Sequence, residues 1–207
     1  MSGKLILIRH GQSQFNLENR FTGWLDVPLT AKGEEEAKKA GQTLVSLNIK
    51  PVVAFTSGLQ RAQKTLQIVL EQLNLTNLPI IKNEALNERH YGALQGKNKA
   101  ETAEKFGEAQ VLVWRRSFDI APPEGESLKD TAARTLPYFK KAILPLIQQG
   151  QDVLIVAHGN SLRSIVMEIE KMTPEQILKT EIGTGNAWIY ESTSTAEKTE
   201  FKLSSGR

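Results

Sequence analysis

Two apolar runs far apart in the chain end alike. Residues 4–8 (Lys-Leu-Ile-Leu-Ile) lead into Arg9-His10-Gly11, and residues 152–157 (Asp-Val-Leu-Ile-Val-Ala) lead into His158-Gly159. Both runs are short and rich in β-branched residues, which predicts buried strands with a histidine where each strand stops. Between them the period changes to that of helices. Ala37, Ala40, Leu44 and Leu47 recur at helical spacing after Thr30, a suitable cap, with Glu34, Glu35 and Glu36 near the positive end. Pro51 stops that segment; residues 52–56 read as a second strand, and 60–73 as a helix with Leu66, Val69, Leu70 and Leu73 on one face. Residues 79–81 are a weaker strand, and 83–96 have no period and predict a loop.

Residues 97–118 read as two helical pieces broken near Gly107, and Pro122-Pro123 marks the next stop. Ser127 with Asp130 caps a long helix toward Gln149 that Pro137 and Pro145 should kink or divide. Helices from about Ser161 and Pro174 follow, then a strand over 187–190 and a polar tail from about Ser192. This alternation predicts an α/β fold: a three-layer sandwich with a mainly parallel central sheet flanked by helices. A chain of 207 residues suits a single domain, 1–207.

Composition narrows the chemistry. The 26 Lys and Arg are dispersed among 23 Asp and Glu for a net charge of +3, so no nucleic acid partner is expected, while a small anion suits the chain. Cysteine is absent and there are only three histidines, which argues against disulfides, thiolate chemistry and a dedicated metal cluster. With no apolar stretch of membrane-spanning length and no signal-peptide core, a cytoplasmic protein without membrane contact is expected. His, Glu and Arg must then carry the chemistry.

In open α/β sheets, ligands collect at the carboxyl ends of strands, so His10 and His158 suggest one shared site. Neutral imidazole is a good nucleophile toward phosphorus, and Arg9 offers a planar donor fork suited to a phosphoryl group. The pKa of His10 is expected to be pulled down by nearby arginines, with its N–H held by a backbone carbonyl. Arg61 follows residues 56–60 (Thr-Ser-Gly-Leu-Gln), a strand-to-helix turn that brings it to the same sheet edge. The bland alternatives are histidines that satisfy strand-end backbone groups and a solvated arginine at a helix start.

Four segments carry a resemblance: 7–16 (Leu-Ile-Arg-His-Gly-Gln-Ser-Gln-Phe-Asn), 19–30 (Asn-Arg-Phe-Thr-Gly-Trp-Leu-Asp-Val-Pro-Leu-Thr), 87–96 (Asn-Glu-Arg-His-Tyr-Gly-Ala-Leu-Gln-Gly) and 157–163 (Ala-His-Gly-Asn-Ser-Leu-Arg). With residues 114–116 (Trp-Arg-Arg), they resemble the 2,3-bisphosphoglycerate-dependent phosphoglycerate mutases of the histidine phosphatase superfamily, from Leu5 to about Gly185. The resemblance implies a phosphoglycerate mutase-like fold and interconversion of 3-phosphoglycerate and 2-phosphoglycerate, primed by 2,3-bisphosphoglycerate without a metal. It makes His10 the phosphorylated histidine and Glu88 the proton donor and acceptor, while Arg9, Asn16, Arg61 and His158 hold the transferring group. His158 is then most useful as an imidazolium, its pKa raised by phosphate.

Ser13, Thr22, Gly23, Arg89, Tyr91, Lys99, Arg115, Arg116, Gly159 and Asn160 correspond to positions for the second phosphate and carboxylate. The substrate-binding runs also take in Gly11, Gln12, Gln14, Phe15 and His90, and for His90 a structural role is expected. Two departures stand out. The chain passes from Pro122-Pro123 directly toward Ser127, where longer members insert a loop, and residues 183–187 lack prolines many members have. A homo-oligomer is left open. The rivals are a histidine phosphatase on small phosphorylated metabolites and a non-catalytic phospho-ligand binding module.

Overall fold

The computed structural model describes residues 2–195 and 198–206. Its sheet has the order β3-β2-β4-β1-β5-β6, with β1 Lys4–Arg9, β2 Val53–Thr56, β3 Ile80–Lys82, β4 Val153–Ala157, β5 Ala187–Ser194 and β6 Thr199–Ser205. The first four strands are parallel, and β5 and β6 add an antiparallel edge. Side-chain alternation decides the layers. Leu5 and Leu7 pack with Phe139, Ile143, Leu162 and Ile165 on one face, and Ile6 and Ile8 with Leu44, Leu66, Val69 and Leu70 on the other. The three-layer α/β sandwich expected from the sequence is the one observed.

One face is covered by α2 (Ala31–Ser46) and α3 (Gln60–Gln72), the other by α6 (Leu128–Tyr138), α7 (Leu144–Gln148) and α8 (Gly159–Ile169). The short helix α1 (Gln14–Leu17) follows β1, while α4 (Lys99–Phe106) and α5 (Glu108–Arg116) break at Gly107 as expected. A small cluster of Phe21, Leu94 and Val111 joins these pieces. Thr30 caps α2 and Ser127 with Asp130 forms the capping box of α6. The long helix predicted toward Gln149 is divided by a π-helical stretch, Phe139–Ile143, just after Pro137, which has no N–H to give to the ladder. A short last helix, α9, spans Pro174–Lys179.

Three expectations need correction. The helix predicted from about Ser161 begins at Gly159, because the Ser161 hydroxyl accepts from the His158 N–H and so starts the first turn earlier. The loop predicted over 83–96 contains two 3₁₀ turns, Glu84–Leu86 and Gly92–Leu94. Within the polar tail, residues 199–205 form a strand: Phe201 and Leu203 alternate with exposed residues along β6, a period of two easily lost among polar neighbours. No described helix is long and apolar enough to cross a membrane.

Candidate active site

The register of β1 against β4 pairs Arg9 with Ala157, so the next residues leave the sheet side by side. His10 donates its backbone N–H to Ala157 O at 3.0 Å, and the His10 and His158 ring centroids lie 5.0 Å apart. Both rings are buried, but they differ in which nitrogen is committed. His10 Nδ1 bonds Gly11 O at 2.7 Å, which puts the proton on Nδ1 and leaves an Nε2 lone pair. His158 Nε2 lies 2.7 Å from Ser57 Oγ, which itself accepts from Leu59 N. Among the described residues the buried Ser57 hydroxyl has no other acceptor for its proton than Nε2, so the network assigns the proton of His158 to Nδ1, a buried atom with no protein partner. One ring presents a lone pair and the other an N–H donor.

Burial, then Arg61 and Arg9, hold the His10 pKa well below its ordinary value, against the Gly11 carbonyl. Burial and then Arg61, His10 and Arg9 do the same to His158. These groups favour the neutral ring of His158, whose Nδ1–H can donate without a second proton; the imidazolium implied by the resemblance is one whose pKa a bound phosphate raises. Both histidines bind protons more weakly folded than unfolded. Stability should therefore be insensitive to their titration above about pH 6.5 and fall below it, by at most about 1.4 kcal/mol per pH unit for each ring, until the pH reaches the lowered pKa of the folded ring. Urea unfolding between pH 7.5 and 5.5 measures this slope. His158→Gln should roughly halve it, and a flat profile in the parent chain would contradict the assignment.

Arg61 stands at the start of α3, fully buried, donating Nη1 to Leu25 O (3.0 Å) and Nη2 to Gly23 O (2.7 Å). Gly23 sits at φ +55°, where other residues are strained, and its carbonyl is thereby turned onto the guanidinium. Burial lowers the Arg61 pKa to about 10, opposed by Glu88 and Asp26, so it stays cationic at neutral pH. Arg9 Nη1 donates to Ile182 O (2.8 Å). The Asn16 side-chain oxygen accepts from Ser13 N and Oγ, both at 3.0 Å, which leaves its amide N–H groups for a ligand. Glu88 is buried at the N-terminus of α8: its Oε1 accepts from Arg89 N (2.7 Å) and Asn160 N (3.1 Å).

Arg9, His10, Asn16, Arg61 and Glu88 line a cavity of about 170 Å³, with Thr22, Gly23, Tyr91, Gly159 and Asn160 also on its wall, while His158 lies behind the wall, fully buried beside His10. A second cationic group comes from α4 and α5 as Lys99, Arg115 and Arg116. Burial, and then Arg115, lower the Lys99 pKa, with Tyr91 opposing. Burial would raise the Tyr91 phenol, but Arg89 and Lys99 bring it below its usual value. Arg116 is ion-paired with Glu181, whose carboxyl this hydrogen bond lowers. The wall carries seven Arg and Lys side chains, Arg9, Arg61, Lys99, Arg115 and Arg116 with Arg20 and Arg163, against Glu88 and Glu181.

Other residues named from the sequence lie behind the wall. Arg89 is buried with Nη2 on Tyr91 OH (2.9 Å) and Arg115 O (3.1 Å), a support for both. Gly11 and Ser13 bond Thr65 and Asn16, Gln12 bonds Thr30, and Gln14 bonds Glu18, while Phe15 lies under Arg20. His90 Nδ1 accepts from Gly92 N (3.0 Å), a turn contact. The sequence reading missed Arg20, Phe21, Arg163, Thr180, Glu181 and Ile182 on the wall, and Ser57 behind His158. Arg163 was open to inference, being one helical turn past Asn160 and donating to its side chain at 3.3 Å. Nothing in residues 180–182 marks them.

The comparisons agree with this geometry. Residues 5–205 match the histidine phosphatase superfamily (branch 1). A protein of Nitrobacter hamburgensis named 2,3-bisphosphoglycerate-dependent phosphoglycerate mutase is 56% identical over 192 residues, 93% of each chain. One of the same name from Parvibaculum lavamentivorans is 56% identical over 92% of this chain and 91% of its own. Among solved structures, a mycobacterial glucosyl-3-phosphoglycerate phosphatase in complex with VO3 superposes with a TM-score of 0.84 at 26% identity, covering 98% of both chains. Among the described residues, no group of three or more His, Cys, Asp or Glu could hold a metal ion. Matched over almost its whole length and more than half identical to such relatives, the chain belongs to the histidine phosphatase superfamily and is an enzyme of that superfamily.

Proposed function

We propose that the protein is a cytoplasmic phosphoglycerate mutase, interconverting 3-phosphoglycerate and 2-phosphoglycerate in glycolysis and gluconeogenesis through a phosphohistidine at His10. The carrying observation is that Lys99, Arg115 and Arg116 share one cavity with His10, Arg9 and Arg61. Hydrolysis of a monophosphate needs only the cations around the nucleophile. A mutase must also retain a doubly phosphorylated ligand while it reorients, which a second cationic group favours.

The residues fit 2,3-bisphosphoglycerate as the priming donor, because seven basic groups face two acids and the Nε of Arg61 and Nδ1 of His158 are buried without protein partners. When bound, it supplies the phosphoryl group that loads His10. His10 Nε2 bonds phosphorus as the ester P–O bond breaks, and Glu88 gives its proton to the leaving oxygen. In the second half Glu88 takes the proton of the incoming hydroxyl as its oxygen bonds phosphorus and the N–P bond breaks. Arg9, Arg61, Asn16 and the His158 N–H hold the equatorial oxygens throughout.

The second reading is a phosphatase, favoured by the likeness to a solved phosphatase of this fold. A coupled assay on 3-phosphoglycerate with and without catalytic 2,3-bisphosphoglycerate separates them: a mutase is activated by the donor, and release of inorganic phosphate alone would overturn the proposal. Arg116→Ala sharpens the test. Loss of a guanidinium bonded to phosphate costs roughly 1.5 kcal/mol or more, about tenfold in affinity, and the lower figure suits a side chain 40% exposed and paired with Glu181. The requirement for added 2,3-bisphosphoglycerate should rise and the mutase-to-phosphatase ratio fall, while exposed Lys141→Ala changes neither. An unchanged ratio in Arg116→Ala would reduce that side chain to a solvated helix face.

A further inference from the structure

The segment that carries Glu88 has little regular structure, so its carbonyl groups need donors from outside. One side chain supplies most of them. Arg134, on α6, donates Nη1 to Glu84 O (3.2 Å) and Ala85 O (3.0 Å), and Nη2 to Asn87 O (3.0 Å) and Glu88 O (2.8 Å). Its orientation is fixed by a fork onto Glu126, Nε to Oε1 at 2.8 Å and Nη2 to Oε2 at 2.9 Å. Glu126 in turn accepts from His90 N (2.9 Å) and Thr131 Oγ1 (3.2 Å). Trp24 closes the group: its Nε1 donates to the same Glu88 carbonyl at 2.6 Å, and its ring lies 5.4 Å from the Arg134 guanidinium. Neither Arg134 nor Glu126 lines the cavity.

We propose that Arg134, held by Glu126 and assisted by Trp24, is a positioning residue that sets the place of the Glu88 carboxylate for proton transfer. This rests on Glu88 being the proton carrier, as read above. Two donors fix the main-chain carbonyl of Glu88 and two backbone N–H groups fix its Oε1, so the residue is defined from both ends. Proton transfer works only within hydrogen-bond reach of the ester oxygen, and a displacement of about 1 Å costs up to about a hundredfold in rate. The planar fork matters because an ammonium at position 134 cannot serve four carbonyls and a carboxylate together. Arg134 itself touches neither phosphorus nor the leaving oxygen.

The test compares two phosphoryl donors in single-turnover phosphorylation of His10. 2,3-Bisphosphoglycerate leaves as an alkoxide that must be protonated as the P–O bond breaks, whereas p-nitrophenyl phosphate leaves as a stable phenolate that needs no proton. Arg134→Lys, Arg134→Gln and Glu126→Gln should slow the first by about tenfold or more and the second by less than about threefold, a split that general loss of structure would not produce. Trp24→Phe should shift the ratio the same way by less, and Glu88→Gln should show the same split at larger size. Circular dichroism selects the folded variants, and if Arg134→Gln fails to fold, Glu126→Gln and Trp24→Phe decide. Equal slowing of both donors, or of neither, with the split intact in Glu88→Gln, would overturn the clamp alone. If Glu88→Gln slows both donors equally, the role of Glu88 falls and the clamp falls with it.

Discussion

His10→Ala should leave the protein unlabelled by radioactive 2,3-bisphosphoglycerate and lower its turnover by roughly 10⁴- to 10⁶-fold, the range seen when an enzyme loses its nucleophile. The parent chain should take up one acid-labile, alkali-stable phosphate. The structure gives a reason to choose between the two rings, which are equally buried and both held neutral by burial and arginines. His10 has its proton tied to Gly11 O, so its free nitrogen is a lone pair; His158 has its lone pair tied to the Ser57 hydroxyl, so its free nitrogen is a donor. His158→Ala should therefore still be labelled, though more slowly, because one donor to the phosphoryl oxygens is gone. Label on the His10→Ala chain, or full turnover by it, would move the nucleophile elsewhere. Label lost only in His158→Ala would reverse the tautomers.

The pairing of the two histidine motifs was legible because each follows an apolar run ending in glycine, and because parallel sheets gather such ends. The register that sets Arg9 against Ala157 was not, since nothing local couples residues so far apart in sequence. The pull of burial and arginines on the His158 ring was not legible either. Its ring answers to the Ser57 hydroxyl and to burial, and both follow from the fold. Residues 180–182 reach the cavity only because α9 and β5 hold them there, and a stretch of three residues has no period to betray it.

Arg134 marks the other limit of sequence reading. It sits in a helix whose cap and prolines were readable, yet what it binds is four main-chain carbonyls, which every residue type possesses alike. Glu126 and Trp24 were likewise visible as letters in stretches singled out for other reasons. Their shared target, the Glu88 carbonyl and the chain beside it, appears only once α6 is packed beneath the segment. Side-chain to side-chain chemistry leaves a trace in sequence through residue type; side-chain to backbone chemistry leaves half of one.

Glu88→Gln should keep the Michaelis constant for 3-phosphoglycerate within a few-fold and lower mutase turnover by about 10²-fold or more, the size expected for removing a general acid and base. The amide is a near match in shape, and its carbonyl oxygen can retain both backbone bonds, from Arg89 N and Asn160 N, that Oε1 now accepts. The main chain stays pinned by Arg134 and Trp24. Position is thus conserved while the exchangeable proton is lost, since an amide neither gives a proton to a leaving alkoxide nor takes one from an attacking hydroxyl. Both halves of the cycle pass through the same carboxyl, so neither direction of the mutase reaction should escape. Steady-state assays from 3-phosphoglycerate and from 2-phosphoglycerate, with thermal melts to verify folding, measure the effect. Turnover unchanged in either direction would assign the proton to another group on the cavity wall, where Tyr91 and Lys99, both with lowered pKa, would be the next to replace.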